Sequence, residues 1–307
     1  MGISGFLQPF ASSLTYICVL VLATFAVTLI FKTSATTNFA QGSVAALGCH
    51  FTWVSLTSIG WGIIPSAIVG IIGGILLGVF IDVVIFRNGR NVNLVGKQII
   101  TMGLVSVISN LIPMVFKYMD PQDIPTLVDL PLIKLNISGG ELIITPHSLV
   151  CVVITVIIVT ILFLLLRFSK WGLGVRTTAS NEYVAQMMGV NTYVITAISW
   201  GIAGGLGALA AVMYTGETVH MNGAYFMTEF QVNAFLAGIM GGFSTFVGPI
   251  ICAIIIPIMK CLINLIGYAD GLEFFMKWST VIVYVIVMII IYIKPNGIFG
   301  KKIAKKV

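Results

Sequence analysis

The feature that most constrains this chain is a series of apolar runs, each about 20 residues long, with most charges confined to the stretches between them. A helix needs about 20 apolar residues to cross ~30 Å of hydrocarbon. Runs of that kind cover 10–31, 63–86, 98–116, 147–166, 192–214 and 278–293. A poorer run, 38–59, carries small and polar residues. The stretch 230–266 is too long for one crossing and divides between Gly241-Gly242 and Gly248-Pro249. The expectation is an all-α polytopic membrane protein with about nine crossings. Composition agrees: 58% of the 307 residues are hydrophobic and 8% are charged, against about 25% charged in soluble domains. That excludes a soluble enzyme, a nucleic-acid-binding module and a disordered chain.

The charges test this count independently. With the N-terminus outside and alternating spans, one side holds Lys32, Arg87, Arg90, Lys97, Arg167, Lys170, Arg176, Lys294, Lys301, Lys302, Lys305 and Lys306. The other holds only Lys117, Lys134 and Lys277, beside Asp120, Asp123, Asp129, Glu141, Glu217, Glu229, Asp270 and Glu273. The positive-inside rule then puts the C-terminus in the cytoplasm. Lys260 falls inside a span, where it either snorkels to the headgroups or pairs with an acid such as Glu229 or Asp270. Met1 to Pro9 lack Lys and Arg, so the first run is expected to be retained rather than cleaved.

Glycines at four-residue spacing, Gly70, Gly74 and Gly78, then Gly201 and Gly205, then Gly238 and Gly242, suit close helix packing. Asn38 and Gln41 open the second run and Asn110 sits in the fourth, where a polar side chain is expected to face the bundle interior. With Gly241, Gly242 and Gly248 at the break, these are the candidate pathway residues. Cys18, Cys49, Cys151, Cys252 and Cys261 form no ligand spacing and are expected to be buried packers. There is no H-E-x-x-H, and Gly96-Lys97 has Asn91 and Gln98 where a phosphate loop needs Gly and Ser or Thr. The chain is therefore expected to carry no catalytic, cofactor-binding or metal site and to bind no ATP itself. Asn136-Ile137-Ser138 fits a glycosylation sequon.

The longest loop on the basic side runs over about 169–191. Ser180 can cap a helix there, Asn181 and Glu182 suit its first turn, and Gly189 can end it. Tyr183 and Met187, with Val184 and Met188, supply an apolar face that either lies on lipid or docks into a partner's groove.

Arg176-Thr-Thr-Ala179, Ala185 and Met188-Gly189-Val190-Asn191 together resemble the ATPase-coupling loop of LivH-type permeases, the membrane subunits of branched-chain amino-acid ABC importers. Asn38-Phe-Ala-Gln-Gly42 is similar to the family's N-F-A-[QH]-G. Ala234-Phe235, Gly241-Gly242 and Gly248 resemble its A-F…G-G…G pattern, and Lys294-Pro-Asn-Gly-Ile-Phe-Gly300 its closing R-P-x-G-[LI]-[FL]-G, with Lys for Arg. The outer loop, about 117–146, shares no pattern with the family. The resemblance implies one transmembrane permease domain over 1–307 in a bacterial inner membrane. It implies a second permease subunit, LivM-like or a second copy, two cytoplasmic ATPases that hold ATP and Mg, an extracytoplasmic substrate-binding protein and no nucleic acid. Arg176, Glu182, Tyr183, Met187, Met188 and Gly189 would form the coupling contact. Urea, other amino acids, sugars or nucleosides are alternative cargoes, and a secondary transporter or channel is the rival class.

Overall fold

Hydrocarbon offers no water to backbone N–H and C=O groups, so each apolar run closes its hydrogen bonds within a helix. The computed structural model describes residues 3–89, 92–116, 123–137, 140–218, 221, 225–269 and 271–300. Helix α1 (Ile3–Ser12) leads through Ser13 into α2 (Leu14–Ser34). Next come α3 (Gln41–Val54) with a π-helical extension (Ser55–Ile59), α4 (Ile63–Phe80) with a second one (Ile81–Phe86), and α5 (Leu94–Phe116). A hairpin of β1 (Ile133–Ile137) and β2 (Gly140–Ile144) pairs Ile133 with Ile144 and Ile137 with Gly140. Then follow α6 (Pro146–Phe168), α7 (Lys170–Ser180), α8 (Glu182–Met187), α9 (Thr192–Thr218), α10 (Thr228–Gly241), α11 (Val247–Ala269) and α12 (Glu273–Ile293).

Among the described residues, 7 helical segments are long and apolar enough to cross a membrane, Ile3–Ser34 taken as one. Of the other two expected spans, α10 has 14 residues, or about 21 Å of helix, and α3 has 14 that run on through the π-helical extension to Ile59. The second run is thus helical from Gln41 to Ile59, starting three residues after the expected 38–59. The long stretch breaks where the glycines placed it, between Gly241 and Val247.

α2 and α9 form the buried centre, each 78% buried over its most apolar window. α9 takes α4, α2 and α3 around it, while α10 and α11 pack on α2 and α12 packs on α11 and α10. The α4–α9 seam is closed by glycine. A Cβ at Gly74 would lie 2.6 Å from the Gly204 carbonyl oxygen, and one at Gly78 would strike that of Trp200. Gly204, which the four-residue spacing did not single out, thus joins Trp200 in touching α4 backbone to backbone.

α9 orients the bundle. Its first residues lie by Arg87, whose guanidinium sits 5.2 Å from the Tyr193 ring centroid. Its last turn lies by α2's beginning and the start of α6, where Thr15 and Thr145 donate to Glu217. Lys32, Arg87, Lys97, Arg167 and Arg176 gather at the first end, with the 169–191 loop. Lys134 with Glu141 and Lys277 with Glu273 lie at the other. Arg90, Lys117, Asp120, Ser138, Asp270, Lys301, Lys302, Lys305 and Lys306 lie outside the described residues. The five cysteines are free and buried.

Candidate functional site

The loop between α6 and α9 is built from two helices. Ser169 caps α7, its hydroxyl accepting from the Gly172 N–H at 2.9 Å. α7 buries Gly172, Gly174, Val175 and Thr178 against the bundle. Asn181, not Ser180, caps α8: its side chain accepts from the Val184 N–H at 3.1 Å, while Ser180 is the last residue of α7. α8 ends at Gly189, whose φ of 82° is left-handed. The Val190 N–H donates to the Ala185 carbonyl and the Gly189 N–H to that of Gln186, so the last carbonyls are satisfied.

Only Ala185 of α8 is buried. Tyr183, Met187 and Met188 are 70%, 72% and 80% exposed, and Val184 is exposed beside them. A six-residue helix that, with Met188 just past its end, shows four large apolar side chains has a surface suited to a partner. Arg176 donates to the Arg167 carbonyl at 3.3 Å, tying α7 back to the end of α6. Glu182 is directed differently from its neighbours. It is half-buried and lines a small cavity of about 40 Å³ with Asp82, Arg87 and Lys97. Asp82 is buried in the second π-helical turn and accepts from the Thr196 hydroxyl at 3.2 Å. Asp82 and Arg87 are five residues apart in the chain, but no local pattern ties Lys97 and Glu182 to the same cavity.

The Asn38–Gly42 segment makes a break between α2 and α3. Ala35 ends α2 at a φ of 51°. The chain then runs non-helically to Ala40, and side chains from three helices satisfy it. Thr101 of α5 accepts from the Phe39 N–H, and Gln98 donates to the Thr37 hydroxyl. Asn38 accepts from the Ala40 N–H at 2.9 Å and donates to Gln41. Gln41 donates to the Ala203 carbonyl of α9 at 2.8 Å, and Gln231 of α10 accepts from the Gly42 N–H at 2.6 Å. Ala203 lies 11 residues past Thr192, about 16 Å along α9, so α3 starts well inside the bundle. Gln231 was not singled out from sequence; it holds the first turn of α3 to α10.

The glycine break is a close-packed knuckle. A Cβ at Gly241 would strike the Gly248 backbone, and one at Gly242 would lie 2.6 Å from the Asn296 carbonyl oxygen. The Ile298 N–H donates to the Met240 carbonyl at 2.7 Å, so the 294–300 motif seals the α10–α11 turn. Asn110 corrects an expectation. It stands on the exposed side of α5 rather than in the interior, its amide donating to the Ser106 carbonyl one turn back. Lys260 pairs with Glu229 at 3.9 Å, in a cluster where Tyr16 donates to Glu229, Asn233 to Tyr16, and Tyr284 to Asn233.

The structure therefore brings Asn38 and Gln41 together, and Gly241, Gly242 and Gly248 together, at separate places, with Asn110 apart from both. Tyr183, Met187 and Met188 share one exposed surface. Among the described residues, no group of three or more His, Cys, Asp or Glu side chains could hold a metal ion.

The family model described as the permease component of branched-chain amino acid transport systems matches residues 10–292. The chain is 22% identical to the high-affinity branched-chain amino acid transport system permease protein LivH of Escherichia coli K12, over 98% of both chains. It is 26% identical to the probable LivH of Methanocaldococcus jannaschii, over 94% of this chain and 90% of that protein. The probable LivM of the same organism is 27% identical over 55% of each. No solved structure matches.

Proposed function

This chain belongs to the permease family of branched-chain amino acid transport systems, and on that premise we propose that it forms one half of an ATP-driven import pathway for branched-chain amino acids. The single observation that carries the coupling role is the exposed Tyr183, Met187 and Met188 face of α8. Methionines repack as a partner surface moves, and the rigid Gly189 cap fixes how the face is presented. Two ATPase subunits, which hold ATP and Mg, dock there. A second permease, LivM-like or a second copy, completes the pathway, and a soluble binding protein delivers cargo to the end that carries the β-hairpin. Similarity to both LivH and LivM supports the permease pair. The gathering of basic residues at the α8 end supports a cytoplasmic placement of that end and of the C-terminus. The chain itself performs no bond chemistry.

Force reaches the bundle by short routes. α8 abuts α7 and α9, and Glu182 shares its cavity with side chains from the α4 extension and α5. A shift of α8 on ATP-driven closure thus acts on α2, α4, α5 and α9 together. Inward- and outward-facing packings need differ by only a few kcal/mol for ATP to bias them. The non-helical stretch 35–40 borders the pathway in this reading. Backbone of that kind is tolerated at depth where protein or a water-filled path covers it. Transport by the whole complex in proteoliposomes, with labelled leucine, urea and ribose, tests the function. ATP-dependent uptake of leucine alone is the expected result; ATP-independent uptake would sink the importer assignment.

A further inference from the structure

A crevice opens behind α8, at the end of α2. It has a lobe of about 550 Å³ and an adjoining one of about 380 Å³, which share Lys32, Ala179, Ser180 and Ser244. Sites for small molecules span about 300–1,000 Å³. Lys32 stands between the lobes. Its ammonium donates to the Ser244 carbonyl at 2.7 Å and lies 5.0 Å from the Phe246 ring centroid. An ammonium has three donors, so two remain among the described contacts. Arg176 lines the smaller lobe. Ser180, exposed at the end of α7, lines both lobes beside Lys32. Glu182 is the acid of the crevice, at the edge it shares with Arg87 and Lys97. The stacked rings of Phe31 and Phe243, with centroids 4.2 Å apart, supply an apolar wall beside the polar floor.

We propose that this crevice binds a phosphate-bearing anion, held by Lys32 and Arg176, which both line its smaller lobe. Two sources share that chemistry: the headgroup of an anionic phospholipid, whose chains would leave along the aromatic wall, and free phosphate. Basic recesses between helices at the cytoplasmic face suit such headgroups. The ligand would bridge α2, α7 and the α10–α11 turn, and so stiffen the seat on which α8 stands.

The full-length chain, purified in mild detergent, is titrated with phosphatidylglycerol, phosphatidylcholine and inorganic phosphate, and adducts are read by native mass spectrometry. Wild type should hold phosphatidylglycerol and not phosphatidylcholine. Lys32→Gln should weaken that binding about tenfold, or about 1.4 kcal/mol. Arg176→Gln, at an exposed side chain, should weaken it severalfold with an unchanged melting temperature, and so carries the test if Lys32→Gln misfolds. Lys170→Gln, an exposed cation outside the crevice, should change nothing. Phosphate adducts with the same dependence on Lys32 and Arg176 would assign free phosphate as the source; phosphatidylglycerol adducts alone would assign the lipid. Equal binding of the two lipids by wild type with no phosphate adduct, or adducts equal between wild type and both crevice variants, would overturn the proposal.

Discussion

The α4–α9 seam and the α8 face are opposites. At the seam, Gly74 and Gly78 of α4 meet Trp200, Gly201 and Gly204 of α9, and backbones touch where side chains would ordinarily stand, while Gly70 lies against Gly48 and Thr52 of α3. On α8, four large apolar side chains stand in the open with only Ala185 beneath them. Small residues inside and large ones outside invert the usual soluble pattern, for two separate reasons. Between helices in lipid there is no hydrophobic drive, so close van der Waals approach holds them together, and small residues permit it. On α8 an apolar face outside the bundle is costly in water, so it is retained where a partner covers it. One region fixes the scaffold, and in the proposed function the other transmits a partner's motion to it.

That contrast breaks first at the seam. Gly78→Leu forces α4 away from the Trp200 carbonyl and should cost about 3 kcal/mol or more, seen as loss of monodisperse protein on size-exclusion chromatography in detergent. Tyr183→Ala on α8 should leave that profile unchanged and weaken retention of the ATPases about tenfold, in line with about 1–2 kcal/mol for an interface anchor. Gln41→Leu lies between the two regions in kind. It leaves the Asn38 amide without its acceptor, removes a tie to α9 worth about 1 kcal/mol, and should lower both melting temperature and leucine uptake while sparing ATP hydrolysis. Asn110→Leu should be the mildest. Its side chain bonds only its own helix, so stability should move by about 0.5 kcal/mol or less; a large fall in uptake would instead put the exposed face of α5 on the pathway.

How much of this could be read from residues depends on which force set each feature. The long helices follow from apolar run length alone, and the α10–α11 break from glycine and proline, so both stand where sequence put them. α7 was not foreseen as a helix. Lys170–Ser180 holds two glycines and two threonines, poor helix formers, and it is helical because Gly172, Gly174 and Val175 seat against the bundle, Gly174 on Ile195. The cap of α8 moved one residue because Asn181 and Ser180 are equally good caps, and α7 consumed Ser180. Asn110 misled because polarity in a span suggests a partner across the bundle, whereas a back-bond to Ser106 satisfies it within one turn. The candidate site was partly visible. Tyr183 and Met187 follow from helical spacing and Gln41 from its place in the motif. Gln231, Lys97 and the Asp82 cavity needed contacts between distant helices that no local pattern encodes.

The central claim is that the α8 face docks the ATPases. Met187→Asp places a charge on that face, at a side chain that touches little of its own chain. In the free subunit it costs almost nothing, whereas in a docked interface it buries an unpaired carboxylate. Co-purification of the ATPases with wild-type and Met187→Asp permease, run beside leucine uptake, reads this difference. The account predicts a variant that inserts and pairs with the second permease, yet holds the ATPases about a hundredfold more weakly, or about 2.8 kcal/mol, and imports no leucine. Full ATPase retention together with full uptake would contradict it.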